Sequence, residues 1–136
     1  MRVLALDYGS ARCGVAVSDP TGVLATPLEP VLNPAGRRGM GKLLALVHEF
    51  EAERVIVGLP LSLAGGDSAQ TREAREFAAV LERRLAGVPV ELYDERFTTA
   101  LAQRDPGAGS RSPRASEDSR AAAHLLSSWL VRHEGA

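Results

Sequence analysis

The sequence has a single cysteine, Cys13. That excludes an intramolecular disulfide, and with no second thiol nearby a structural zinc site is not expected, so Cys13 reads as a small apolar residue in a reducing compartment. An excess of one charge is missing as well, because 16 basic residues face 17 acidic ones and leave a net charge of −1. A whole-molecule field that gathers nucleic acid is thereby excluded, and any such binding must come from local basic patches. Lysine is nearly absent: Lys42 is the one lysine and every other cation is arginine. Arginine suits bidentate phosphate contacts, but this usage reads first as genomic base composition. No apolar run is long enough to cross a bilayer, and the N-terminus enters a strand without the basic, apolar and cleavage segments of a secretory signal. No repeat or interdomain linker interrupts the 136 residues, so the expectation is one cytoplasmic domain over residues 1–136 with no membrane role. His48, His124 and His133 lack the mutual spacing of a metal site.

The chain supplies a clear order of elements. Val3 to Leu6 is an unbroken apolar strand ending in Asp7, and both of its faces are expected to be covered. Gly14 to Ser18 reads as a second strand and Asp19-Pro20-Thr21-Gly22 as a type I turn. A third strand runs from about Val23 to Leu28, where Pro27, Pro30 and Pro34 mark an edge or exit. From Gly39 the period changes, with Met40, Leu43, Leu44, Val47 and Phe50 forming the stripe of an amphipathic helix. Val55 to Val57 is a short buried strand before Gly58-Leu59-Pro60 and a loop from Ser62 to Asp67. A second helix starts near Ser68 with Ala74, Phe77, Ala78, Leu81 and Leu85 on one face, and Val88 to Tyr93 is the fifth strand. A short helical turn around Thr99 to Gln103 precedes an aperiodic segment, Arg104 to Ala115, which is expected to be mobile. Ser116 is the expected N-cap of a last helix, Glu117 to Val131, packed through Ala122, Leu125, Leu126, Trp129 and Leu130. An antiparallel meander followed by two crossovers predicts an α/β fold with a five-stranded mixed sheet, flanked by helices.

Three acids stand where core residues belong: Asp7 ends the first strand, Asp94 ends the fifth, and Asp118 opens the last helix in line with Ala122, Leu125 and Trp129. Glu95 is the alternative to Asp94 if the strand end shifts its facing. If the last helix lies across the sheet, three carboxylates converge, and their repulsion calls for divalent cations such as Mg²⁺ or Mn²⁺. Each acid also has a plainer role. Asp7 fits an Asx-type turn before Gly9, Asp94 fits a pair with Arg96, and Asp118 fits a first-turn acid on the helix dipole, where Glu117 fits better. Gly9 and Gly14, with Ser10 and Arg12 between them, offer a phosphate cradle or merely a tight turn. Thr98 and Thr99 read as caps before phosphate ligands, and Arg104, Arg111, Arg114 and Arg120 form a basic patch that is either solvated or a row of phosphate contacts.

Taken in order, Asp7-x-Gly9-x-x-Arg12-x-Gly14-Val15-Ala16-x-Ser18-Asp19, Val57-Gly58-Leu59-Pro60, Asp94-Glu95-Arg96-x-Thr98-Thr99 and Asp118 with Ala121-Ala122 resemble the YqgF/RuvX family of Holliday junction resolvases. The resemblance spans nearly the whole chain. It implies an RNase H-like nuclease domain whose metal-binding, catalytic acids are Asp7, one of Asp94 and Glu95, and Asp118. It further implies two Mg²⁺ or Mn²⁺ ions hydrolysing a phosphodiester, with Arg12, Arg96, Thr98, Arg111 and Arg114 as substrate contacts. The family's roles are 5′-end maturation of pre-16S rRNA and resolution of Holliday junctions. The expected partner is therefore nucleic acid, structured RNA or branched DNA, together with pre-ribosomal particles, and the protein acts as a monomer or a homodimer. The stretch between Thr99 and Asp118 departs from the family pattern through Pro106 and Pro113.

Two readings from other classes compete with the nuclease. One is a non-catalytic nucleic-acid-binding factor in ribosome assembly or transcription, suggested by the near-neutral charge. The other is an ATPase of the actin and sugar-kinase type, suggested by the turn between Asp7 and Gly14, although such enzymes need two of these domains.

Overall fold

A computed structural model describes residues 1–61, 66–98 and 117–133. The expected Ser62–Gly65 part of the loop, the turn around Thr99 to Gln103, the Arg104–Ala115 segment and the Ser116 cap lie outside these residues.

The elements in chain order are β1 (Val3–Asp7), β2 (Arg12–Ser18), β3 (Ala25–Leu32), α1 (Arg37–Glu49), β4 (Arg54–Leu59), α2 (Ala69–Leu85), β5 (Val90–Asp94), a 3₁₀ turn (Glu95–Thr98) and α3 (Glu117–Arg132). The strands form one sheet in the order β3-β2-β1-β4-β5. β1 pairs antiparallel with β2 and parallel with β4, which pairs parallel with β5, as the mixed meander-and-crossover sheet requires. Among the described residues no helix is long and apolar enough to cross a membrane.

Strand alternation builds a core on each side of the sheet. Leu4, Leu6, Val15, Val17, Val55 and Val57 pack under α1 and α2 with Leu43, Phe77 and Leu81. Val3, Ala5, Ala16, Ile56 and Tyr93 pack under α3 with Ala122, Leu125, Leu126 and Trp129. Val3 through Leu6 are fully buried, so β1 is covered on both faces as its unbroken apolar run predicts. α2 begins at Ser68, whose hydroxyl accepts from the Thr71 amide while the Thr71 hydroxyl accepts from the Ser68 amide, a reciprocal cap.

Several element ends differ from expectation, among them the start of β5, at Val90 rather than Val88, and of β3, at Ala25 rather than Val23. β3 runs through Pro27 and Pro30 to Leu32 instead of stopping near Leu28. Its outer side faces no further strand, so the missing proline N–H groups are tolerated there. β2 begins at Arg12, and its register against β3 shifts between Cys13 and Val15.

α3 is seated by contacts along its length. The Tyr93 hydroxyl lies 2.8 Å from Ser128 Oγ, and the Trp129 indole N–H donates to Glu91 Oε2 at 3.0 Å. At the helix start the Val15 amide donates to the buried Ser119 hydroxyl at 3.2 Å. Gly14 lies directly beneath this first turn: a β-carbon there would stand 1.8 Å from the Asp118 carbonyl oxygen and 2.7 Å from the Ser119 nitrogen. Because the obstructing atoms are helix backbone, Gly14→Ala must lift α3 from the sheet. The expected cost is about 3 kcal/mol or more, read from the urea midpoint, and a midpoint within error of the parent would contradict this packing.

Candidate active site

Which acids meet is decided by the facing of the strands. Asp7 continues the Val3 and Ala5 side of β1, the side under α3. Its antiparallel partner on β2 is Gly14, the residue on which the first turn of α3 rests, so the helix that carries Asp118 starts beside Asp7. On the other flank, one residue past the Leu6–Val57 pair of the parallel ladder, stands Gly58. A β-carbon on Gly58 would meet Glu95 Oε1 at 2.7 Å, so the Glu95 side chain lies over Gly58 and reaches Asp7, to which it is hydrogen-bonded.

Asp94 is turned elsewhere. Along β5, Val90 and Leu92 pack toward α1 and α2, whereas Glu91 and Tyr93 pack toward α3. Asp94 continues the first set and Glu95 the second. The Asp94 carboxylate accepts from the Arg96 amide at 2.9 Å and from the Arg96 guanidinium at 2.6 to 3.0 Å. These hydrogen bonds hold its pKa below the usual carboxylate value. Of the two acids offered by the sequence for the second position, the structure brings Glu95 to Asp7 and places Asp94 in a pair with Arg96.

Asp118 does not point fully inward as its place on the helical stripe suggests. Its side chain is 38% exposed and lies 3.7 Å from Arg12 Nε, and the buried face of α3 begins one residue later at Ser119. Its charge still acts on Asp7. The Asp7 carboxyl is pushed up to about 8, first by burial, then by the hydrogen bond and charge of Glu95, and then by the charge of Asp118. The same neighbourhood, burial above all, raises the Cys13 thiol and keeps it inert.

The other candidates divide. Arg12 is on the surface against Asp118 and can reach a phosphate. The Thr98 hydroxyl donates to the Glu95 carbonyl at 2.7 Å, so it acts within the turn that carries Glu95. Arg96 is engaged with Asp94, and Arg111 and Arg114 lie outside the described residues. The cradle suggested by Gly9 and Gly14 is not open at Gly14, which α3 covers. Sequence reasoning missed the structural roles of Gly58 and Ser119. Gly58 carried a signal, since glycine inside a strand often marks a close approach, and Ser119 carried none.

Asp7 and Glu95 touch while Asp118 leans to Arg12, so among the described residues no three ligating side chains form a closed shell. By its chemistry the donor set fits a hard divalent cation: three carboxylates from three elements, all oxygen, with a proton on Asp7 standing where a cation would neutralise the charge.

Comparison with known proteins gives a consistent picture. The family model described as RuvX, Holliday junction resolvase, matches residues 1–132. A protein of Thermobifida fusca with the provisional name pre-16S rRNA nuclease is 48% identical over 140 residues, covering 93% of this chain and 85% of its own. One of Mycobacterium tuberculosis with the same name is 45% identical over 132 residues, covering 95% of this chain and 78% of its own. Among solved structures, Thermus thermophilus RuvC in complex with a Holliday junction superimposes with a TM-score of 0.69 at 20% identity, covering 100% of this chain and 97% of that one, which establishes the shared RNase H-like fold.

The raised Asp7 carboxyl has a consequence for stability. The folded state keeps a proton that the unfolded chain releases near pH 4, so in metal-free protein this group's contribution is fully present below about pH 4 and is lost as pH rises toward 8, at up to ~1.4 kcal/mol per pH unit. In EDTA, the wild type should therefore lose stability relative to Asp7→Asn between about pH 5 and pH 8 in urea titrations. Parallel curves for the two proteins would contradict the burial and pairing described for Asp7.

Proposed function

The chain belongs to the RuvX family of Holliday junction resolvases, and on that footing we propose that it is a divalent-metal-dependent nuclease that matures the 5′ end of pre-16S rRNA, with Asp7, Glu95 and Asp118 as its metal-binding acids. The observation that carries the reading is the contact of Glu95, from the turn after β5, with the Asp7 carboxyl at the end of β1, whose pKa is raised by burial first, then by Glu95, and then by the charge of Asp118 at the start of α3. Asp7, Glu95 and Asp118 would hold Mg²⁺ or Mn²⁺, as a pair of ions, which would supply activation of the attacking water and stabilisation of charge on the leaving oxygen. Asp7 lies between the other two acids and is the central ligand. Arg12, exposed beside Asp118, is placed to meet a substrate phosphate. Arg96 holds Asp94 away from the acids, and Thr98 steadies the turn on which Glu95 stands. Residues 1–136 act as one nuclease domain in the cytoplasm, on structured RNA within pre-ribosomal particles.

The names of the 44–48% identical relatives favour ribosomal RNA as substrate. The description of the family model favours a second substrate, four-way DNA, which requires a symmetric dimer acting on two strands.

Cleavage of a pre-16S 5′ leader and of a four-way junction, side by side with Mg²⁺ or Mn²⁺, decides between them. Asp7→Asn and Glu95→Gln should each lower the rate by about a thousandfold or more while leaving RNA binding within about threefold, and Asp94→Asn should keep the rate within about tenfold. Equal loss in Asp94→Asn and Glu95→Gln would overturn the choice of Glu95, and no cleavage of either substrate would leave the binding-factor reading in place.

A further inference from the structure

Gly58 stands inside β4 with an ordinary strand backbone. The glycines with positive φ among the described residues are Gly22 and Gly87, so nothing in the conformation of Gly58 demands glycine. Glycine within a strand gives up packing and chain entropy, and its presence there calls for a close approach by another group. The group is Glu95: an added β-carbon would lie 2.7 Å from its Oε1 and 3.1 Å from its Cγ, with Leu125 Cδ2 next at 3.2 Å. We infer that Gly58 is a positioning residue, whose bare α-carbon is the seat across which the Glu95 carboxylate reaches Asp7 and the divalent-ion site.

The contrast with Gly14 gives this its content. At Gly14 the obstructing atoms are backbone, and a side chain there would displace a helix. At Gly58 the nearest obstruction is the far end of a flexible side chain, which swings aside at little cost, and Leu125 needs to give by only a few tenths of an ångström. A methyl group at position 58 therefore leaves the sheet and α3 in place and removes one carboxylate from the acids. Proteins hold metal ligands through such supporting positions, and losing one typically costs about 10- to 100-fold in metal affinity. The inference rests on the metal-binding reading of Asp7, Glu95 and Asp118, and its test keeps the two apart.

The test is Mn²⁺ affinity of the purified protein without substrate, by electron paramagnetic resonance, with melting temperature measured on the same samples. Gly58→Ala should bind Mn²⁺ at least about tenfold more weakly than the wild type while melting within a few degrees of it. In a Glu95→Asp background, where the shorter side chain leaves room for the methyl group, Gly58→Ala should cost little further affinity, so the double-variant cycle is strongly non-additive. Wild-type affinity in Gly58→Ala, or the same fold-loss in both backgrounds, would overturn the role given to Gly58. A Gly58→Ala protein that melts far below the wild type would assign the constraint to Leu125 packing and overturn it too. Asp7→Asn serves as the control: if it binds Mn²⁺ as the wild type does, the metal reading itself fails, whatever Gly58 does.

Discussion

A half-buried carboxylate in contact with a second acid, which cannot ionise cheaply, is the constraint on which this structure turns. Asp7 ends a strand covered on both faces, and its neighbours on the α3 side are two further acids. Taking one charge out of water costs several kcal/mol, and crowding like charges adds to it, so at neutral pH the site holds a proton or a cation. Arg12, the cation beside Asp118, sits on the outer side of that acid and leaves the Asp7–Glu95 contact unneutralised. The fold thus retains a destabilising arrangement that local packing does not require, as catalytic sites do.

The sheet register creates the arrangement with little machinery. Asp7 is flanked by Gly14 on β2 and Gly58 on β4, and each glycine admits the element bearing one of the other acids. Gly14 admits the first turn of α3, locked by the Ser119 hydroxyl on the Val15 amide. Gly58 admits the side chain of Glu95, whose turn is tied by Thr98. Rigid elements fix two of the acids through their backbones, and the third is held through a side chain, so its position is the easiest to disturb.

Much of this was legible in the residues. Unbroken apolar runs, helical stripes and the Asp-Pro-Thr-Gly turn give the order of strands and helices, and with it the mixed sheet. The prolines of β3 misplace its end because edge position, not proline content, governs whether a strand continues, and edge position is a property of the assembled sheet. The choice between Asp94 and Glu95 is a question of parity. The alternation along β5 sorts Val90, Leu92 and Asp94 from Glu91, Tyr93 and Glu95, but β1 is apolar on both faces, so the sequence does not reveal which of those sets shares a side with Asp7. The Trp129–Glu91 and Tyr93–Ser128 contacts, which place α3, supply the missing fact. Asp118 follows the helical stripe in register, and its backbone rests on Gly14, yet its side chain at the first turn is turned out beside Arg12.

Family membership makes a nuclease of this chain, and the proposed place of that activity is the group formed by Asp7, Glu95 and Asp118. The central claim is that a divalent ion sits among Asp7, Glu95 and Asp118, and anomalous scattering at the manganese edge from crystals grown with Mn²⁺ tests it most directly. The account predicts a peak within about 2.5 Å of Asp7 and Glu95 carboxylate oxygens, with Asp118 drawn from Arg12 toward it and Asp94 still paired to Arg96. A peak coordinated by Asp94 with Glu95 turned away, or none beside Asp7, would contradict it.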